Sequence, residues 1–566
     1  MAFDPRDRDW VSATATRNYF KEDTLLDWLD LYGESKGFVK DKDDPSYDHR
    51  TCMTTFIFAK AIEFEQRVVA LLREKCEVVD VDGENSVARA LRTIELLQQR
   101  PEVIYHGVVY DEATKTWGSP DLLVRSDVLC KICEYLPCEV EDVPHYRVVD
   151  IKFATPEISA KWLLNGDSDR KAQLYIYNRA LAAMQGYSPS RAYIIGRSYK
   201  KGKERFENCF YTLAPVKTDD PELQMDVDGA VAWIREVRTE GETWNVLPES
   251  TRDRLRPNMG FDQDSPWHGA KKLIQAQVKD LTQLWYVSAK NRPNAIAKGV
   301  TRYDDPDCHA SLFGVGNREA TLQRIIDSQR PGAPMVMPER IATDRENWIE
   351  KRKVEFFVDF ETVGDMKDTF DGLPERGGQT LIYMIGCGHE EDGEWKFECF
   401  ICDRLTEPCE KEQIDAWIAH MMSTCHRLGG MNPHVFHWAP HEKVSLSTAF
   451  DAARKRHPNN NWPEPTWYDF LNNVVKKEPV TVKGAYAFGL KAIANAMAMN
   501  GLTATNWGSS KIDGLGAMIG GWWCDDEAER TGGTMRDLDL MHDIREYNEV
   551  DCKVMWEAIN YLREHH

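Results

Sequence analysis

Tyr146-Arg-Val-Val-Asp-Ile-Lys152 is an apolar run that ends in an aspartate and a lysine, and Val354-Glu-Phe-Phe-Val-Asp-Phe-Glu361 is a second such run that ends in two acids. Each is long enough to form a buried strand. A buried strand holds a carboxylate rigidly, as the binding of a divalent cation requires. We therefore expect two separate α/β cores, each with acids placed to bind metal.

Length and composition indicate a multidomain globular protein. The chain has 566 residues, 42% of them hydrophobic, which is too many for one core and enough for two or three. The amino-terminal residues contain no apolar signal segment, and charges interrupt the later apolar stretches before the roughly 18 residues that a membrane span needs. We expect a soluble intracellular protein without membrane segments, most simply cytoplasmic, with a nuclear or viral-factory location left open.

The net charge of -21 argues against a protein that coats nucleic acid nonspecifically, because such proteins neutralise phosphates with Lys and Arg. Net charge does not locate patches, however, and residues 197–205 and 351–353 are locally basic. Carboxylates that bind metal also add to the negative total. A metal-dependent enzyme acting on nucleic acid is therefore compatible with the composition.

Hydrophobic periodicity divides the chain into three parts. We expect an α/β domain over residues 1–225, a helical connector with proline breaks over 226–347, and a second α/β domain over 348–566. No internal repeat is visible, so the two α/β domains are not duplicates. The predicted helices are 51–75, 87–98, 170–184 and 547–562, and the predicted strands are 103–110, 121–125, 146–152, 191–196, 354–361, 381–386, 395–401 and 435–438.

The first candidate site centres on Asp150 and Lys152, which lie two apart on a strand and so face the same side. The carboxylate can bind an ion, while the ammonium can hold the attacking water or steady charge on a phosphate. Asp121, which follows the Gly-Ser-Pro turn at 118–120, can supply a second ligand. Glu65 on the first helix can supply a third.

Gln173 and Tyr177 complete a pattern, one turn apart on the helix that follows the strand. With Glu65, Gly-Ser-Pro-Asp121 and Asp150-Ile-Lys152 they resemble the RecB-like nucleases of the PD-(D/E)XK superfamily, over residues 50–200. The resemblance implies a restriction-endonuclease-like core with the glutamine and tyrosine beside the active site. The alternative is a chance Asp-x-Lys beside a pair that only packs against the core.

Three cysteines, Cys130, Cys133 and Cys138, have a spacing that zinc could use. Some RecB-like relatives hold an iron-sulfur cluster, but their cysteines flank the nuclease core, whereas these lie between Asp121 and Asp150. We therefore favour ordinary thiols over a zinc or iron-sulfur site. The fourteen cysteines form no regular disulfide framework, which favours a reducing compartment.

The second candidate site combines Asp359 and Glu361, on one face of a strand, with Tyr547 and Asp551, on one face of a helix. The three carboxylates can bind metal, and the phenol can orient a water. The alternative for Asp359 and Glu361 is an exposed strand end, but their apolar neighbours favour burial, which is costly without a cation.

This arrangement resembles the DEDD exonucleases of the ribonuclease H-like fold, in the branch with a Tyr-x-x-x-Asp motif. Residues 354–563 are similar, more closely still, to the YprB-like domain, which follows RecB-like domains in some proteins. The family's second motif carries an aspartate where this chain has Glu442, which reaches one methylene further. Asp469 is the fallback ligand, although capping the helix from Phe470 is the favoured role for that residue.

From these patterns we expect a metal-dependent nuclease with two distinct modules that each bind Mg²⁺ or Mn²⁺ as two-metal sites. The resemblance favours DNA, single-stranded or at ends, in repair, recombination or replication, with a helicase or repair protein as partner. One alternative is an RNA 3'-5' exonuclease whose first module is a degenerate clamp. Another is a noncatalytic scaffold that binds nucleic acid.

Overall fold

The computed structural model describes residues 3–136, 144–364, 370, 373, 381–438, 446–508 and 512–566. The chain is mixed α/β with several sheets and forms two compact units. The first unit contains Met1–Asp41, Ile57–Val278 and Asp368–Gly377, and the second contains Lys42–Phe56, Lys279–Lys367 and Gly378–His566.

The first unit contains most of the elements up to residue 278. In chain order these are β1 (Val11–Ser12), α1 (Arg17–Phe20), α2 (Leu25–Trp28), α3 (Met53–Arg73), β2 (Val78–Asp80), α4 (Ser86–Gln99), β3 (Val103–Tyr105), β4 (Val109–Asp111), β5 (Thr116–Gly118), β6 (Leu122–Arg125), α5 (Leu129–Ile132), β7 (Tyr146–Lys152), α6 (Ser168–Gln185), β8 (Arg191–Gly196), β9 (Tyr199–Lys201), β10 (Glu204–Phe206), β11 (Ala214–Lys217), α7 (Pro221–Glu240) and α8 (His268–Val278).

A six-stranded sheet in the order β11-β8-β7-β6-β3-β2 forms the centre of this unit. β7 is antiparallel to β6 and parallel to β8, and α6 connects β7 to β8. Successive side chains of a strand point to opposite faces, so Val148 packs in the core beneath α6 and Val149 in the core beneath α3. Because both of its faces are covered, β7 reads as a continuous apolar run in the sequence.

The second unit contains the remaining elements. They are α9 (Arg292–Ile296), α10 (Glu319–Ser328), β12 (Val336–Met337), α11 (Arg345–Trp348), β13 (Phe356–Val363), β14 (Leu381–Glu391), β15 (Glu394–Ile401), α12 (Glu407–Leu428), β16 (His434–His437), α13 (Leu446–Arg456), β17 (Thr466–Asp469), β18 (Thr481–Val482), α14 (Leu490–Met499), α15 (Gly514–Thr531) and α16 (Asp539–His565).

The main sheet of the second unit has the order β15-β14-β13-β16-β17. Strands β13, β14 and β15 are antiparallel neighbours, while β16 is parallel to β13 and β17 is parallel to β16. α12 covers one face, where Trp417 packs with Val358, and α16 covers the other, where Met555 packs in the same core as Phe357. The central strand β13 is thus held between two helices.

Each helix and strand predicted from the sequence has a counterpart in the structure, with one important difference, but many elements, among them α12 and α15, were not predicted. Residues 146–152 and 191–196 form strands with the predicted bounds, and the helix predicted over 170–184 covers Ser168–Gln185. The strand predicted over 103–110 is instead two strands, β3 and β4, separated at His106. The backbone of His106 has a φ of 58°, which no extended strand accommodates.

Residues 226–347, predicted to form a connector, are divided between the two units. Val227, Val237 and Val278 belong to the core of the first unit, whereas Leu281 begins a series of residues in a core of the second. Apolar faces on α7, α8 and α10 explain this, because each can be buried only against a neighbouring core. One of the boundaries between the compact units therefore falls at residue 278, within the segment predicted as a connector.

Among the described residues, no helix is both long enough and apolar enough to cross a membrane.

Candidate metal centres

Three side chains of the first unit converge on one point. Glu65 comes from α3, His106 follows β3 and Asp121 precedes β6, and one ligand atom of each lies within 4.8 Å of the others. Glu65 Oε1 lies 2.6 Å from His106 Nε2 and accepts a hydrogen bond of 2.8 Å from the Tyr105 hydroxyl. This group could hold a metal ion.

His106 was not among the residues predicted for this site. Its N–H donates to the Asp121 carbonyl, and its own carbonyl accepts from Arg89 at 2.6 Å. These bonds hold the chain in the left-handed conformation that turns the imidazole towards Glu65. The sequence contains a signal for this residue, because His106-Gly107 interrupts an otherwise apolar alternating run within the strand predicted over 103–110.

Asp150 and Lys152 lie beside this group. Lys152 Nζ is 2.6 Å from Asp150 Oδ2, and Asp121 Oδ2 accepts a 2.6 Å bond from the Ile151 N–H. The Asp121 N–H points at Asp150 Oδ1 at 3.4 Å. The two strands β6 and β7 therefore bring both aspartates together, but the tightest group of three includes His106 where the sequence had suggested Asp150.

Gln173 and Tyr177 share one face of α6, as their spacing predicted, and Tyr177 lies close enough to Asp150 and Asp121 for their charges, after burial, to raise its pKa. Gln173 Nε2 donates to the Tyr177 hydroxyl at 2.8 Å. The Tyr177 ring lies directly on Gly118, where an added Cβ would come within 2.0 Å of the ring. The glycine of the Gly-Ser-Pro-Asp turn thus makes room for the tyrosine.

Burial and charge shift the pKa values of this group in different directions. Burial, and then the neighbouring Asp150 carboxylate, raise the pKa of Asp121 well above its usual range. Burial alone would raise the pKa of Glu65, but hydrogen bonds from His106 and Tyr105 hold it below the ordinary value. Burial lowers the pKa of Lys152, yet Asp150 and Asp121 outweigh it, so Lys152 is an ammonium at neutral pH.

The second unit brings three predicted acids together. Asp359 and Glu361 come from β13 and Asp551 from α16, and ligand atoms of all three lie within 4.8 Å of one another. A bulge between Glu361 and Thr362 changes the pairing of β13 with β14 at this point. Bulges redirect side chains next to sites of this kind, so the irregularity contributes to the position of Glu361.

Three carboxylates at such distances, with Glu361 and Asp551 buried and Asp359 partly buried, repel one another. Burial, followed by the charges of Glu361 and Asp551, raises the pKa of Asp359 well above its usual range. Burial, followed by the charge of Asp551, raises the pKa of Glu361 to about 8. Burial also raises the pKa of Asp551, to about 6. A bound cation would relieve this repulsion and keep the acids ionised.

The predicted tyrosine lies next to these acids, together with residues that were not predicted as ligands or catalytic groups. Burial, followed by the charge of the nearby Asp551, raises the pKa of Tyr547 well above its usual range. Asp551 Oδ1 accepts a hydrogen bond of 2.8 Å from Trp507 Nε1. Lys491 Nζ lies 4.6 Å from the centre of the Tyr547 ring. Asn548, the residue after the tyrosine, contacts both acids of β13. Trp507 and Lys491 come from segments that no spacing in the sequence relates to β13.

Two further predictions concern residues near the end of β16. Glu442 lies outside the described residues. Asp469, its fallback, accepts hydrogen bonds from the backbone and side chain of Asn472 at 3.1 Å and 2.7 Å. These are bonds of a helix cap, the role favoured for Asp469 from the sequence.

The predicted cysteine group has no metal-binding arrangement within the described part of the chain. Cys130 is exposed, whereas Cys133 is buried and directs its thiol to the Leu129 carbonyl at 3.4 Å. Cys138 lies in the segment 137–143, which is not described. No group of three potential ligands found among the described residues contains a cysteine.

The donor atoms of the two groups differ in kind. Asp359, Glu361 and Asp551 offer oxygen alone, which suits hard cations such as Mg²⁺ and Mn²⁺. His106 adds a nitrogen to the first group, which suits transition metals better than Mg²⁺.

We compared the chain with protein-family models, with curated proteins and with solved structures. None of these three comparisons found a match.

Proposed function

We propose that the protein is a metal-dependent nuclease that hydrolyses phosphodiester bonds at two separate sites, one in each unit. The observation that carries this proposal is the pair of acidic groups, each within 4.8 Å and each built at the main sheet of its unit. Groups of this kind bind the divalent cations that neutralise a phosphate and activate a water. We infer Mg²⁺ or Mn²⁺ as the cation.

In the first site, Glu65, Asp121 and His106 would hold the cation, with Asp150 beside them. The Lys152 ammonium, fixed by Asp150, is placed to stabilise negative charge on a phosphate. The Gln173–Tyr177 pair forms one wall of the site. This set supports the resemblance to RecB-like PD-(D/E)XK nucleases, since each residue that the resemblance named lies at or beside the group.

In the second site, Asp359, Glu361 and Asp551 would hold the cation. The Tyr547 phenol, which lies close enough to Asp551 for that charge to raise its pKa, is placed to orient a water. Two acids on the central strand and a third on the last helix support the resemblance to the DEDD exonucleases with a Tyr-x-x-x-Asp motif. We therefore propose a ribonuclease H-like core with 3'-5' exonuclease activity for the second unit, and a restriction-endonuclease-like core for the first.

DNA, single-stranded or at its ends, is the proposed substrate, because the RecB-like resemblance favours DNA over RNA. The test compares wild type with Asp150→Ala, Asp359→Ala and the double variant on end-labelled single-stranded DNA and RNA, with Mg²⁺, Mn²⁺ or EDTA. We expect DNA cleavage that needs the cation, falls at least a hundredfold in the double variant and changes its products in each single variant.

Three other outcomes would count against this proposal. Trimming of RNA that survives Asp150→Ala but not Asp359→Ala would select the RNA exonuclease with a degenerate first site. Cleavage by the double variant at the wild-type rate would overturn the proposal, and so would the lack of any cleavage by the wild type on either substrate.

A further inference from the structure

Asn548 is completely buried beside the two acids of β13. Its side chain is 0% exposed, and its Nδ2 lies 3.2 Å from Asp359 Oδ2 and 3.4 Å from Glu361 Oε1. The same nitrogen is 3.5 Å from the Asp359 carbonyl. One amide group thus touches both carboxylates that β13 contributes to the second group.

The neighbouring strand makes room for this amide. Gly386 on β14 is paired with Asp359, and a Cβ added to Gly386 would lie 1.8 Å from Asn548 Oδ1. The backbone of Gly386 is not left-handed, so its lack of a side chain is explained by space and not by conformation. Asn548 and Gly386 therefore form a matched pair across the helix and the sheet.

The direction of its donor distinguishes Asn548 from an ordinary amide buried in a core. A core amide normally satisfies both its donor and its acceptor with neutral partners. Here the donor faces two carboxylates, while Oδ1 has no hydrogen-bond partner among the described residues. The buried amide of Asn178 also has an Oδ1 without a partner among the described residues, but its Nδ2 donates to neutral groups, so the donor directed at two acids is what sets Asn548 apart.

The chemistry of an amide suits this position. A neutral donor fixes the direction of each carboxylate without cancelling its charge, so the oxygens that face away remain available to a cation. A lysine or arginine would form a stronger bond but would compete with the cation for the site. A second group that orients a ligand in this way commonly changes metal affinity by roughly 10- to 100-fold.

We propose that Asn548 is a positioning residue that sets Asp359 and Glu361 for cation binding, with Gly386 providing its space. The inference rests on the proposed metal-dependent function of the second site. It assigns Asn548 a role through the two acids and no contact with substrate.

The test measures Mn²⁺ binding by electron paramagnetic resonance on the full chain carrying Asp121→Ala, which isolates the second site. In that background we expect Asn548→Ala to weaken Mn²⁺ binding about tenfold or more. Gly386→Ala should also weaken Mn²⁺ binding, because the added methyl group would displace the Asn548 amide. Asn178→Ala is the matched control and should leave Mn²⁺ affinity unchanged, since Asn178 is also a buried amide but donates to Pro189 and Thr218.

A second variant separates positioning from simple packing. Asn548→Asp adds a fourth carboxylate, so its melting temperature in EDTA should be lower than that of the wild type. Mn²⁺ should then raise the melting temperature of Asn548→Asp by more than it raises that of the wild type. A structural amide would instead give the same loss with and without Mn²⁺ for both Asn548→Ala and Asn548→Asp.

The outcomes distinguish this inference from the proposed function. Wild-type Mn²⁺ affinity in Asn548→Ala, alongside cation-dependent cleavage by the wild type, would overturn the role of Asn548 and leave the nuclease proposal standing. Mn²⁺ binding that depends on Asn548 in a protein that cleaves nothing would support the positioning role and remove the nuclease function. An absence of Mn²⁺ binding to the wild type would overturn both.

Discussion

At the scale of single residues, burial decides which acids respond to pH. Asp27 is buried in the first unit and accepts hydrogen bonds from Trp233 Nε1 at 2.8 Å and from Asn18 Nδ2 at 2.9 Å. Burial raises the pKa of Asp27 to about 7 despite these bonds. Between about pH 4 and pH 7 the unfolded chain therefore ionises Asp27 while the folded protein keeps it protonated.

We expect this acid to destabilise the protein as pH rises from about 4 to about 7, with no further loss above that range. Each pH unit in the window costs up to about 1.4 kcal/mol. Asp27→Asn removes the titration, so its melting temperature should fall less than that of the wild type between about pH 4.5 and 7.5. Asp253→Asn, at an exposed ion pair, is the control. Equal slopes for wild type and Asp27→Asn would contradict this assignment.

Site residues were predictable from the sequence where the spacing of two residues along a strand or helix is enough to put their side chains on the same face. Asp359 and Glu361 share a face because strand side chains alternate, and Tyr547 and Asp551 share a face because four residues complete a helical turn. His106 was missed for a different reason. Its direction depends on a left-handed backbone held by bonds to distant residues, which no local pattern encodes.

At the scale of elements, the packing of α6 on β5 depends on one glycine. Tyr177 of α6 occupies the space where a side chain at Gly118 would lie, 2.0 Å from its ring. Gly118→Ala should therefore displace the ring, destabilise the protein by about 1 to 3 kcal/mol and break the Gln173–Tyr177 bond. We also expect it to reduce cleavage at the first site. Calorimetry and activity in the Asp359→Ala background measure these two effects.

A double-mutant cycle tests whether the clash is the cause. Tyr177→Leu makes room, so Gly118→Ala should cost less in that background than in the wild type. Gly514→Ala, at the first residue of α15 where an added Cβ meets open space, should cause no comparable loss of stability. If Gly118→Ala cost the same free energy of unfolding in the Tyr177→Leu variant as in the wild type, the steric explanation would fail.

Helices and strands were predictable where hydrophobic residues recur at a regular spacing or form a long continuous stretch. β7 and β8 have the predicted bounds because their apolar runs are continuous. α16 starts at Asp539, eight residues before the predicted helix, because its first two turns carry fewer apolar residues for the pattern to detect. The break between β3 and β4 coincides with His106-Gly107, but a histidine and a glycine can also lie within a strand, so the sequence alone does not distinguish one strand from two.

At the scale of the whole molecule, the two units each have a main sheet, helices packed on it and an acidic group of their own. The sequence predicted two such cores but assigned residues 226–278 to a linker. Apolar helix faces show that a segment is buried somewhere, yet they do not identify the core that buries it. That information lies in contacts such as those of Val227 and Val237 with the first core.

The net charge of the whole chain, -21, bears on how the protein binds nucleic acid. A negative protein repels a phosphate backbone, so we expect binding of single-stranded DNA to depend on the cations held by the two acidic groups. The measurement is fluorescence anisotropy with a labelled oligonucleotide whose phosphorothioate linkages resist cleavage. Affinity should be at least tenfold higher with Mn²⁺ than with EDTA, and the Asp150→Ala, Asp359→Ala double variant should not respond to Mn²⁺.

The salt dependence of the same binding separates cation bridging from a basic surface. Each phosphate neutralised by Lys or Arg on a single strand contributes about -0.7 to the slope of log affinity against log salt. Bridging through a few bound cations should give a shallow slope, because few protein cations replace the counterions. Tight binding in EDTA with a steep slope would contradict this expectation and direct attention to the locally basic segments at residues 197–205 and 351–353.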